Sequence, residues 1–125
     1  MSKPGKTGIP RVIDAFGYSM KGFAATWKFE AAFRQEVALG LILTPVAFWL
    51  ATTHVELILL LASIFWVWMA ELANSSVEAV VDRTGYERHE LSGRAKDIGS
   101  ALVFTSLMLL SLVWGIVAAH RFLFS

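Results

Sequence analysis

The sequence predicts an all-α integral membrane protein: three transmembrane helices preceded by an N-terminal amphipathic helix lying on the membrane surface. Three observations carry that prediction. First, 56% of the 125 residues are hydrophobic and 13% aromatic, and the mean hydropathy is +0.59, well outside ordinary soluble composition. Second, the apolar residues gather into three runs of spanning length, while the first thirty residues instead show a helical period with charge on one side. Third, the cations are segregated along the chain although the net charge is only +1. The length allows one domain over 1–125. No cysteine is present, which excludes disulfides and thiolate metal sites, and three scattered histidines argue against a zinc or copper cluster. Nucleic acid is not an expected partner.

Residues 1–8 read as a basic, flexible tail, with no apolar run of the kind a cleavable signal peptide needs. Gly5-Lys6-Thr7 echoes the end of a phosphate-binding loop, but the earlier glycine of that motif has no position to occupy, so a P-loop is rejected. Over 9–29, Ile9, Val12, Ile13, Phe16, Met20, Phe23 and Trp27 line one side of a helical wheel. Arg11, Asp14, Tyr18, Lys21 and Lys28 lie opposite. Aromatics along the seam with cations across from them describe a helix lying on an anionic membrane. Gly17 and Gly22 are its expected points of breakage or bending.

Glu30-Ala31-Ala32-Phe33-Arg34-Gln35-Glu36 leads into the first span, placed at about 31–53 from the length a bilayer requires. Pro45 is expected to kink it, and Ala51-Thr52-Thr53-His54 forms a tight turn. The second span, 55–82, exceeds what a bilayer needs and should protrude at its far end. The third, 98–119, carries no charge and supplies Gly99, Ser100, Thr105, Ser106, Ser111 and Gly115 for close helix packing. The segment from Asp82 to Asp97 reads as a charged connection. Of the eleven Lys and Arg residues, only Arg121 falls outside the N-terminal region and the connection between spans two and three. The positive-inside rule therefore places the N-terminus in the cytoplasm and the C-terminus on the opposite side of the membrane.

The candidate chemistry lies where the second span emerges. At about 100° per residue, Asn74, Ser75, Glu78 and Asp82 all fall within about 60° of Glu71. A greasy helix with carboxylates along one seam points to a site, since ionisable groups at membrane depth are costly and face a protein interior. Glu71 sits just inside the membrane edge and Glu78 about 10 Å nearer water by helix rise. Magnesium takes one or two carboxylates plus substrate phosphates, which makes Glu30 and Glu78 its candidate ligands. Lys96 and Arg94 are placed to hold phosphate charge, and Glu71 to accept a proton from a lipid hydroxyl.

The stretch 30–36, the Glu71/Asn74/Glu78/Asp82 spacing, and Ser92-Gly93-Arg94-Ala95-Lys96-Asp97 followed by Gly99-Ser100-Ala101 together resemble the small prokaryotic integral-membrane diacylglycerol kinases. The resemblance runs from Thr7 to about Gly115. It implies a homotrimer with shared active sites and transfer of the ATP γ-phosphate to diacylglycerol, yielding phosphatidic acid. It implies Glu71 as the base and Glu30 and Glu78 as ligands of Mg2+. Around the nucleotide it places Arg11, Tyr18, Glu87, His89, Lys96 and Asp97. Asn74 and Asp82 would support the site. Lipid would meet Arg11, Phe33, Arg34, Glu36, Trp49, Ser100 and Trp114 beside Glu71.

Other readings compete at particular positions. Glu30 and Arg34 also have the spacing of a surface ion pair on a helix, and Asp82 that of a solvated helix terminus. Within the same fold the rival substrate is a polyprenol such as undecaprenol. From another class, a small transport or scaffold bundle would need polar groups through the outer half of span two, where Leu57–Ala70 offers only Ser63.

Overall fold

A computed structural model describes Gly5, residues 7–84 and residues 90–124. It is all-helical: α1 is Ile9–Phe29, α2 Ala31–Leu50, α3 His54–Arg83 and α4 Glu90–Leu123. Helices α2, α3 and α4 are each long and apolar enough to cross a membrane. At 1.5 Å per residue α3 is about 45 Å long, against a hydrocarbon core of about 30 Å, so one end stands clear of it.

Helix α1 starts after Gly8, whose φ of 70° is a left-handed conformation that glycine adopts freely. Pro10 occupies its first turn, where a missing N–H costs nothing. The helix runs without interruption through Gly17 and Gly22, the expected break points. It stops instead at a residue the sequence does not mark. Glu30, with φ −118° and ψ 104°, is extended between two helices. Its N–H donates to the Thr26 carbonyl at 2.9 Å, and its own carbonyl accepts from the Arg34 N–H at 3.3 Å. The Arg34 guanidinium donates to the carbonyls of Trp27 at 2.5 Å and Lys28 at 3.2 Å. It thereby satisfies acceptors left open where α1 ends. Arg34 is thus tied to the end of α1 rather than serving as a simple surface partner of Glu30.

Helix α2 is assigned as one helix across Pro45, and the Thr44 hydroxyl bonds back to Gly40 O at 2.7 Å. The turn at 51–53 is as short as expected. Thr53 caps α3, its hydroxyl accepting from the Glu56 N–H at 3.2 Å. Glu56 reaches back to Thr52 N at 3.2 Å and Thr52 Oγ1 at 2.5 Å, a reciprocal arrangement of the capping-box kind. Glu90 to Asp97, expected as connection, is already the first part of α4, with Glu90 at the end where the helix dipole favours an acid.

Helix α3 is central, packed most extensively on α4 and next on α2, while α1 touches α2 and α3. At the end away from the carboxylates, Ala47, Leu50, Leu60 and Val117 form a buried cluster flanked by Trp114. Between helices in lipid, such packing works through close approach and hydrogen bonds. Two glycines permit it: a Cβ at Gly40 would strike Trp68 and Ile64, and one at Gly99 would strike Asn74 Oδ1. The Trp114 indole donates to Ser63 Oγ at 3.1 Å, which gives the one polar residue noted in Leu57–Ala70 a packing role.

Candidate active site

The carboxylates meet at one end of the bundle because three separate helix segments deliver them. Helix α3 carries Glu71 and Glu78 on one face, the α1–α2 break presents Glu30, and the first turns of α2 present Glu36. Glu71 is 5% exposed, and Glu36, Glu30 and Glu78 all lie close enough to act on it electrostatically. A single chain thus already covers Glu71.

The Glu30 and Glu78 carboxyls lie close enough to share a proton, with Asp82 adding a further negative charge nearby. Burial, the Glu78 hydrogen bond and the negative charges of Glu78 and Asp82 together raise the Glu30 pKa above the ordinary glutamate range. Two carboxylates pressed together in this way suit a hard divalent cation, whose charge would remove the repulsion. Among the described residues no three Asp, Glu or His side chains converge into a ready-made cage. A cation on Glu30 and Glu78 would therefore complete its shell with water and substrate oxygens, as magnesium does in phosphoryl-transfer sites.

Asn74, one turn from both Glu71 and Glu78, donates from Nδ2 to Glu78 Oε1 at 3.2 Å. Its Oδ1 is buried without a hydrogen-bond partner, facing Gly99 of α4. Asp82 is half-exposed and paired with Lys96 Nζ at 2.7 Å, which makes it a link from α3 to α4 as well as a helix-end residue. Beside Glu30, Glu78 and Asp82 opens a cleft of about 740 Å³ between α1 and α3. Ser19, Thr26, Ser75 and Ser76 give it polar walls, and Phe23, Phe29 and Leu72 apolar ones. A second, apolar cleft of about 510 Å³ lies between α1, α2 and α3, lined by residues including Phe23, Trp27, Phe33, Trp68 and Leu72.

Not every anticipated residue joins this assembly. Glu87 and His89 lie outside the described residues. Arg11 is exposed near the start of α1, and Tyr18 is exposed with Lys21 5.8 Å from its ring centre. Asp97 and Ser100 are exposed on α4, and Arg94 makes an exposed pair with Glu90 at 3.6 Å. Phe33 is buried and lines the apolar cleft. Trp49 and Trp114 sit at the other end of the bundle. Arg121 lies over the Trp49 ring at 5.1 Å and donates to its carbonyl at 3.1 Å, while Trp114 is engaged with Ser63.

Two features escaped the sequence reading. The extended conformation of Glu30 has no glycine or proline to announce it. Trp68, whose indole donates to the Glu36 carbonyl at 2.8 Å, looked like one more apolar residue in a run.

Comparison with known proteins shows the family. The profile of the family described as prokaryotic diacylglycerol kinase matches residues 17–118. The diacylglycerol kinase of Haemophilus influenzae is 50% identical over 109 residues, covering 87% of this chain and 92% of that one. That of Escherichia coli K12 is 47% identical over 116 residues, covering 93% and 95%. That of Pseudomonas aeruginosa is 45% identical over 113 residues, covering 90% and 92%. The matched span takes in Glu30, Glu36, Glu71, Glu78 and Lys96 together with most of all four helices, so that the whole carboxylate-bearing end of the bundle falls within the similarity and the chain belongs to the prokaryotic diacylglycerol kinase family.

Proposed function

We propose that this chain, a kinase of that family, transfers the γ-phosphoryl group of ATP to the hydroxyl of diacylglycerol at the cytoplasmic surface of a bacterial inner membrane. The observation that carries the proposal is the convergence of Glu30, Glu36, Glu71 and Glu78 beside a partly polar cleft, at the end of the bundle that also bears Lys28, Arg83 and Lys96. Diacylglycerol is favoured over undecaprenol by the names of the relatives at 45–50% identity.

The roles follow from depth and surroundings. Glu71, buried one turn beyond Asn74, is the general base that takes the proton from the lipid hydroxyl as its oxygen attacks phosphorus. Glu36 lies on the same side and orients that hydroxyl. Glu30 and Glu78, nearer water, hold the magnesium ion that accompanies ATP. When bound, that ion neutralises phosphate charge and orients the transferred group. Lys96 serves the nucleotide phosphates when its contact with Asp82 loosens, and Asn74 holds Glu78 in place. Arg11, Tyr18, Glu87, His89 and Asp97 are proposed around the nucleotide by family resemblance. On the same basis Phe33, Arg34, Trp49, Ser100 and Trp114 are proposed to meet lipid, the last two tryptophans as acyl-chain or packing contacts far from the chemistry.

The chain acts as a homotrimer in which neighbours close the open side of each cleft, so that sites are shared. Helix α1 lies on the cytoplasmic leaflet by its Ile9–Trp27 stripe, whose large residues are exposed along its length. Orientation rests on the cation distribution: among the described residues Arg121 alone of the lysines and arginines is at the other end, occupied with the end of α2. The test is transfer of radiolabel from ATP to chloroform-extractable lipid in mixed micelles. Transfer should require both magnesium and diacylglycerol, and undecaprenol should substitute poorly. Transfer that survives a chelator, or that prefers undecaprenol, would overturn the proposal. Native mass measurement in detergent reads the trimer.

A further inference from the structure

Two independent features of the α2–α3 contact meet at Trp68. Its indole N–H donates to the Glu36 backbone carbonyl at 2.8 Å. Its ring fills the space left by Gly40, where a Cβ would run into that ring and into Ile64. Glu36 and Gly40 are one helical turn apart, and the Gly40 N–H is the helical partner of the Glu36 carbonyl. Ring and donor therefore grip the same turn of α2. On α3, Trp68 stands three residues before Glu71, a spacing that puts the two on one face. Phe65 meets the Trp68 ring edge-on at 5.2 Å and 74°, restricting its rotation. About 10 Å³ of free space remains beside it, the lower limit for one water, so solvent does not readily replace the indole donor.

This contact governs something the catalytic groups do not govern themselves. Glu36 is the α2 carboxylate close enough to Glu71 to act on it electrostatically, and the two sit on different helices. Their separation depends on how α2 is set against α3 at this turn. We infer that Trp68 is a positioning residue for the phosphoryl transfer: through its hydrogen bond to the Glu36 carbonyl and its seat on Gly40 it holds the Glu36 carboxylate in register with Glu71. It acts on the lipid side of the site and leaves the nucleotide side, at Glu30 and Glu78, untouched. The inference rests on the reading of Glu71 as the base and Glu36 as its neighbour at the lipid hydroxyl.

The test replaces residue 68 in the full chain with β-(3-benzothienyl)alanine, which keeps the bicycle and exchanges the N–H for sulfur. Trp68→Phe serves as a second variant. In micelles containing diacylglycerol, kcat should fall on the order of tenfold, the scale of a modest misplacement of reacting groups. KM for magnesium–ATP should be unchanged in both, and the thermal midpoint should hold for the isosteric replacement while falling for Trp68→Phe, which leaves a cavity. In a Glu36→Gln background the same replacement should cost no further activity, because the group it positions is already gone. Equal losses in both backgrounds, a loss confined to KM for ATP, or an unchanged kcat would each overturn the inference. Glu71→Gln, measured alongside, reports separately on the base: if it keeps its turnover that assignment is wrong, and the 36–68 cycle still decides the role of Trp68.

Discussion

Replacing Glu71 and Glu78 one at a time by glutamine should give two different kinetic failures, although the residues share one face of α3. They are seven residues apart, about 10 Å along the axis. Glu71 is buried against α2, whereas Glu78 is half-exposed, contacts Glu30 and lines the cleft. A group on the lipid hydroxyl side affects the chemical step, and one on the cation affects nucleotide binding as well. Glu71→Gln removes the base while keeping size and a polar head. Turnover should fall by roughly 10²–10⁴, the usual worth of a positioned base, equivalent to about 3–5 kcal/mol of transition-state stabilisation. KM for ATP should stay near that of the wild type. Glu78→Gln still offers an amide oxygen to Asn74 Nδ2 but removes the negative charge from half the proposed cation site, so it should raise the magnesium and ATP concentrations for half-maximal rate and lower the maximum. Glu30→Gln should resemble it. The assay is a two-way titration of magnesium and ATP with direct nucleotide binding for all three variants. If Glu71→Gln loses nucleotide binding while Glu78→Gln retains it, the argument from depth has the roles reversed.

Three further outcomes follow from the geometry. Because burial and the charges around it raise the Glu30 pKa, the folded state holds that proton more tightly than the unfolded chain does. Without metal, stability should therefore decline as pH rises from the ordinary glutamate range through the raised value. Magnesium should recover it in the wild type, but not in Glu30→Gln, as read by thermal unfolding in micelles. Thr53→Ala removes the α3 cap at the end away from the site, and should cost about 1 kcal/mol of stability with unaltered kcat. Lys96→Met breaks an ion pair to Asp82 that is about half exposed on both sides, worth at most about 1 kcal/mol. A large rise in KM for ATP with little change in unfolding would assign Lys96 to phosphate, and a stability loss without a kinetic one would refute that role.

Much of this protein was legible from the residues alone, and for a physical reason. Hydrocarbon forbids unsatisfied backbone, so an apolar run of sufficient length has to be a helix, and spans at about 31–53, 55–82 and 98–119 could be read directly, against helices at Ala31–Leu50, His54–Arg83 and Glu90–Leu123. Angular position on a helix depends only on residue spacing, so Glu71, Asn74, Glu78 and Asp82 could be set on one stripe without coordinates. The start of α4 was harder, because charged residues such as Glu90, Arg94 and Lys96 mark the end of a span without marking the end of a helix.

What tertiary structure decided was which helices meet, and at which turn. Glu30 is extended because Arg34 and Thr26 satisfy the polar groups around the break, an outcome that no local propensity encodes. The Glu36 turn of α2 sits against Trp68 of α3 because Gly40 admits the indole ring and the Glu36 carbonyl takes its N–H. Trp114 is engaged with Ser63 at the other end of the bundle. Asp82 and Lys96, read separately as a helix end and a phosphate ligand, turn out to be partners. Spacing along one helix is a property of the chain. The register between two helices is a property of the side chains that interpenetrate, and it exists only once they have packed.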